Sequence, residues 1–150
     1  MTIELNYGQL LAGTVDEVLE TMFFCFPLGP AEKETGPDVF RALLPFRGQP
    51  SGTLEVCLSE ASARMLAAGF LGEDEEALTD AQPGEVVCEL ANMLCGSLVS
   101  RLESDRHFDL GSPVLLPAGF AATPYPAVAS QTFQLENGIL SVTLSLEPAR

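Results

Sequence analysis

Positive charge is scarce in this chain. Seven Lys and Arg stand against 21 Asp and Glu in 150 residues, a formal net charge of −14, and the basic residues are scattered from Lys33 to Arg150. A phosphate backbone is held by clustered Lys and Arg, so nucleic-acid binding is excluded as a function class. The acidic balance says little more, because exposed charges are screened beyond about 8 Å at physiological salt.

Histidine is equally sparse, with His107 alone, and Cys25, Cys57, Cys88 and Cys95 follow no zinc-ligand spacing. A structural metal is therefore not expected. Cys88 and Cys95 stand two turns apart on one predicted helix, which suits reduced packing cysteines. A disulfide framework or thiol catalysis is the alternative. Long apolar runs are lacking too: none approaches the roughly 18 residues that a membrane helix requires. No basic residue precedes Lys33 to form the charged start of a secretory signal. The expectation is a soluble, cytoplasmic protein with no membrane insertion.

What the chain does have is apolar content, 47% of 150 residues, which fits one domain over residues 1–150 with a sizeable core. TVDEVLETMFFCF sets Val15, Val18, Leu19, Met22 and Phe26 at helical spacing, with Thr14 as cap and Pro27 as stop. DVFRALLPF and GTLEVCLS read as two strands of a hairpin, the second alternating Leu54, Val56 and Leu58, with RGQPSG as the turn. SEASARMLAAGFLG suits a helix capped by Ser59 and closed by Gly72, and the acidic EDEEALTD after it is a solvated linker. A long helix then opens near Thr79 or Asp80, carries Pro83 in its first turn and runs to the vicinity of Glu103. SPVLLPAGF is an edge strand because of its prolines. ASQTFQLENGILSVTLSLE is a hairpin in which Asn137 and Gly138 supply the positive-φ turn, and Leu140, Val142, Leu144 and Leu146 alternate with polar residues. Helix, two strands, two helices, three strands: this order implies an α+β fold with a mostly antiparallel sheet covered by helices.

Projected at 100° per residue, the long helix GEVVCELANMLCGSLVSRL gathers Val86, Val87, Leu90, Ala91, Met93, Leu94, Leu98 and Leu102 on one arc. Glu85, Glu89, Asn92, Gly96 and Glu103 cluster opposite. Charges alone would make that stripe an ordinary solvated helix back. Gly96 argues for more, because a mid-helix glycine costs about 1 kcal/mol relative to Ala and would let another surface approach closely. Asn92 is a mediocre helix former whose carboxamide both donates and accepts hydrogen bonds, so it can hold a water.

At these residues the sequence resembles the CheC, CheX and FliY chemotaxis phosphatases, whose helix carries an acidic or serine residue, then Glu, then Asn, then a glycine. Glu85, Glu89, Asn92 and Gly96 fill those places in ELANMLCG and its approach, and Pro113 stands near a downstream proline of the family. A single motif in a chain of this length is more similar to CheX than to the two-site CheC proteins. The resemblance implies a CheX/CheC-like fold and hydrolysis of the aspartyl phosphate of a CheY-like phosphorylated response regulator. Glu89 and Asn92 would be the catalytic pair, Asn92 orienting the attacking water and Glu89 pairing with the regulator's active-site lysine. Glu85 and Gly96 would be partner-binding residues. No cofactor of its own is implied, since Mg²⁺ would come with the regulator, and a homodimer is compatible with the resemblance. Glu85 departs from the shorter Asp or Ser more usual at its place. A catalytically silent receiver-binding or dimerisation module, or an unrelated acidic scaffold, would fit the same bare sequence.

One echo remains. DEVLETMF repeats the stripe's spacing, with Asp16 at the place of Glu85, Glu20 at that of Glu89 and Phe23 at that of Asn92. The two halves of the chain can thus be read as a degenerate duplication, whose first helix packs beside the long one without forming a second site, since a phenyl ring cannot hold a water; coincidence on an ordinary amphipathic helix is the alternative.

Overall fold

The structure, a computed structural model, describes residues 6–31, 39–102, 107–116, 125–136 and 138–148. The first helix, α1, spans Tyr7–Met22 and is capped by Asn6, whose Oδ1 accepts the Gln9 N–H at 3.0 Å. Thr14, expected as the cap, lies well inside the helix, fully buried, its hydroxyl donating to the Leu10 carbonyl at 2.8 Å. Gly8 and Gly13 make the preceding stretch look unhelical in sequence. In the structure both lie inside the helix and face close neighbours: a Cβ would meet Gln131 Nε2 at 3.1 Å in the first case and Arg101 Nη1 at 3.4 Å in the second. The expected stop at Pro27 is also corrected. Phe24 adopts a left-handed φ of 53°, and α1 ends at Met22, so Met22 and Phe26 face solvent and Phe23 takes the core position instead.

After β1 (Gly29–Pro30) come β2 (Val39–Arg47) and β3 (Gly52–Ser59), the predicted hairpin. Helix α2 (Glu60–Leu71) has the expected caps: Ser59 Oγ accepts the Ser62 N–H at 3.2 Å, and Gly72 closes it at φ 68°. The acidic linker holds one 3₁₀ turn, Glu75–Ala77, pinned where Arg64 Nη2 donates to the Glu75 carbonyl at 2.8 Å. Then follow α3 (Gln82–Leu102), β4 (Asp109–Leu110), β5 (Val114–Leu115), β6 (Ala127–Leu135) and β7 (Gly138–Leu146). The expected edge strand survives as β5 alone, and residues 117–120 of it lie outside the described residues. The last hairpin forms as predicted, but Gly138 pairs with Leu135 and so belongs to β7, which places the turn one residue earlier. Asn137 lies outside the described residues.

All pairings are antiparallel, in the order β1-β6-β7-β3-β2-β4, with β5 also on β2. Because strand side chains alternate, β3 and β7 send Leu54, Val56 and Leu58 with Leu144, Val142 and Leu140 to one face, directly paired and buried. Each such side chain contributes about 1.5–3 kcal/mol when fully buried. α1, α2 and α3 pack on the sheet. The alternate positions are polar: Arg41 pairs with Glu55, Ser130 with Thr143 and Thr132 with Ser141.

The expected duplication is written into this order. Exchanging β1 with β4–β5, β2 with β6 and β3 with β7 reverses the sheet onto itself. The helices obey the same exchange, since α1 packs on β6 and α3 on β2, and the two helices pack together. Phe23 is 3% exposed and stacks on Phe70 with ring centroids 5.0 Å apart, so the place matching Asn92 is filled by core.

Candidate functional site

Regular α3 begins at Gln82, later than Thr79 or Asp80, although the Gln82 side chain reaches back to accept the Thr79 N–H at 2.8 Å, as in a capping box. Leu90, Ala91, Leu94, Cys95 and Leu98 are fully buried against the sheet and the other helices. That orientation leaves Glu85, Glu89 and Asn92 exposed on the opposite side, with Gly96 half-buried a turn beyond Asn92. The stripe read from periodicity is therefore one contiguous surface; Glu103 lies outside the described residues. Among the described residues, none of the Glu85, Glu89 and Asn92 side chains has a hydrogen bond or ion pair, so two carboxylates and a carboxamide face outward on one helix.

Two glycines of α3 differ in what they accommodate. At Gly84 a Cβ would fall 2.7 Å from Leu115 Cδ1, so the edge strand packs closely over that glycine and a larger residue would push the Leu115 side chain aside. At Gly96 a Cβ would meet only Leu110 Cδ2, at 4.0 Å, an ordinary contact. Nothing among the described residues needs Gly96 to be small.

The cysteines take no part in the stripe. All four are free. Burial pushes the Cys95 thiol up to about 12 and raises that of Cys88, and burial followed by Glu136 raises that of Cys25. Those three thiols stay protonated at neutral pH, the state least suited to nucleophilic work. Among the described residues no group of three or more His, Cys, Asp or Glu is placed to hold a metal ion, and no helix is long and apolar enough to cross a membrane.

The flank of the stripe was not anticipated. β4 and β5 pair with β2 so that Leu110 stands opposite Phe46 and Leu115 opposite Ala42, both residues of the helix-facing side. Val114 stands opposite Leu43 and points to the other face. Pro113, half-buried, precedes β5. No periodicity in so short a strand could have shown this, because the facing is fixed by pairing register.

With this geometry in place, the comparison with known families is direct. The family model described as chemotaxis phosphatase CheX matches residues 40–127, more than half of the chain, including all of α3. The chain belongs to the CheX family. Solved structures share its fold. CheX from Vibrio vulnificus is 22% identical, covers 98% of this chain and 100% of its own, and superposes with a TM-score of 0.77. A CheX–CheY–BeF₃–Mg²⁺ complex from Borrelia burgdorferi is 17% identical over 97% of this chain and 100% of that one, with a TM-score of 0.75. A CheC-like superfamily protein from Shewanella sp. PV-4 follows at 21% identity, 97% and 100% coverage and a TM-score of 0.74. No curated protein matches the sequence.

Proposed function

We propose that this CheX-family chain hydrolyses the aspartyl phosphate of a CheY-like response regulator, using the exposed stripe of α3. The observation that carries the reading is Gly96 beside Asn92: a mid-helix glycine that no packing among the described residues requires, next to an outward-facing carboxamide. The Borrelia burgdorferi complex pairs a CheX of the same fold with a CheY, which supports a receiver domain as partner.

Hydrolysis breaks the bond between phosphorus and the aspartyl oxygen and forms one from phosphorus to water oxygen, releasing aspartate and inorganic phosphate. Such a transition state needs an in-line water and neutralisation of equatorial charge, and little covalent help. The receiver brings Mg²⁺ and a lysine, so this chain need only position. Asn92 orients the water through its amide and is too weakly basic to act as a general base. Glu89 meets the receiver's lysine in a charge-assisted hydrogen bond that fixes docking geometry, and Glu85 makes a peripheral contact. Gly96 allows the two surfaces to close.

The test is the rate of phosphate loss from a phosphorylated receiver with and without the protein. Wild type should accelerate it, and Asn92→Ala should remove about 10²-fold of the acceleration, as loss of a single orienting group does elsewhere. Because Asn92 is exposed and unbonded, circular dichroism should not change. Full activity in Asn92→Ala would sink the assignment. Binding without acceleration by wild type would instead favour a catalytically silent receiver-binding module.

A further inference from the structure

The stripe on α3 poses an energetic difficulty. The chain carries a net charge of −14, and the stripe presents two carboxylates to a partner whose phosphoryl group is itself anionic. Long-range electrostatics oppose this encounter, and one carboxylate–lysine contact offsets them only at short range. Affinity must therefore come from apolar surface contiguous with the stripe. That surface exists on one flank. Leu115 lies over Gly84 and Leu110 reaches Gly96, so the two leucines bracket the stripe from its start to its glycine, a run of about 18 Å at 1.5 Å per residue. Both point to the helix side of the sheet, yet they remain 46% and 37% exposed. Apolar side chains left this open beside a site gain free energy when a partner covers them.

We infer that Leu110 and Leu115 form an apolar rail alongside α3 that supplies the affinity for the phosphorylated receiver, while Glu89 and Asn92 supply geometry and chemistry. The inference rests on the function proposed above. It divides the surface: Asn92 acts on kcat alone, the edge strand on KM alone, and Glu89 on both. It also gives the short strands β4 and β5 a role, since their register with β2 alone turns the leucines toward α3.

Val114 provides the control. It belongs to the same edge and is 49% exposed, but its side chain points to the opposite face. Initial rates should be measured against concentration of a receiver phosphorylated with acetyl phosphate, and affinity for the same receiver loaded with beryllofluoride and Mg²⁺. Leu110→Ser should weaken binding and raise KM by roughly tenfold with kcat unchanged. Val114→Ser should match wild type within about twofold, a difference too small to count as lost contact. Asn92→Ala should show the converse, normal affinity with lost kcat. If Leu110→Ser does not fold, Leu110→Gln, which retains the side-chain stem, is measured in its place. Unchanged affinity in a folded Leu110 variant, or equal weakening by Val114→Ser, overturns the rail and leaves the phosphatase reading standing. A wild-type protein that neither binds nor accelerates any receiver overturns the phosphatase reading itself, and the rail with it.

Discussion

At the scale of single residues, Gly96 separates stability from function. Its backbone is helical and, among the described residues, a Cβ there would touch only Leu110, so Gly96→Ala should raise stability by up to about 1 kcal/mol, read as a higher urea midpoint. Gly96→Leu should also fold, yet lose receiver binding by steric block. A glycine that weakens its own helix is otherwise hard to account for. Glu89→Gln preserves shape and removes charge, so both affinity and turnover should fall in a titration and a rate measurement on the same sample. Cys95 predicts a pH effect with a definite sign. Its thiol ionises at an ordinary 9.0 in the unfolded chain and only near about 12 in the folded one. Its contribution to stability is thus complete below 9.0 and declines as pH climbs toward 12. Denaturant midpoints followed into alkali should show that decline, and Cys95→Ala should flatten it.

At the scale of elements, α1 and α3 are structural counterparts with unequal chemistry. Asp16 and Glu20 are exposed as Glu85 and Glu89 are, but Phe23 is turned into the core against Phe70. On the proposed function, Glu20→Gln should therefore leave phosphatase activity near wild type while Glu89→Gln does not, and equal losses would mean that the active site lies on the other helix or that there are two. The hairpin β6–β7 yields another expectation. A Cβ at Gly138 would fall 2.2 Å from Ser59 Oγ and 2.7 Å from Ser62 Oγ, the capping pair of α2. Gly138→Ala should destabilise the protein by about 1–3 kcal/mol, the usual cost of overpacking, measured by chemical unfolding. These elements also mark what was legible in advance. The period-3.6 pattern of α3 revealed both its buried arc and its outward stripe, and the caps of α2 were readable because Ser59 and Gly72 act locally. The start of α1 was not, because Gly8 and Gly13 lower helix propensity, and the neighbours they lie against, Gln131 and Arg101, are distant in sequence. The strands β1, β4 and β5 are two residues each, too short to show alternation, and the apolar flank of the site was hidden with them.

At the scale of the whole molecule, the charge of −14 should oppose docking on a phosphorylated, and so locally anionic, receiver. Added salt screens that repulsion, so affinity should rise with ionic strength, and a fall would show that attraction between charges governs the encounter. The sheet carries a different consequence. Its centre is the seam between β3 and β7, paired from Gly52↔Leu146 to Leu58↔Leu140, and the exposed acidic stretch between α2 and α3 is where the two halves of the chain part. Severed there, each fragment would keep a helix and its strands but lose the partner that covers Leu54, Val56, Val142 and Leu144. Neither fragment should fold alone, and the two produced together should recombine into one particle, seen as co-purification through a tag on either. The inherited symmetry would thus make this chain a natural split reporter, with restored phosphatase activity as its signal.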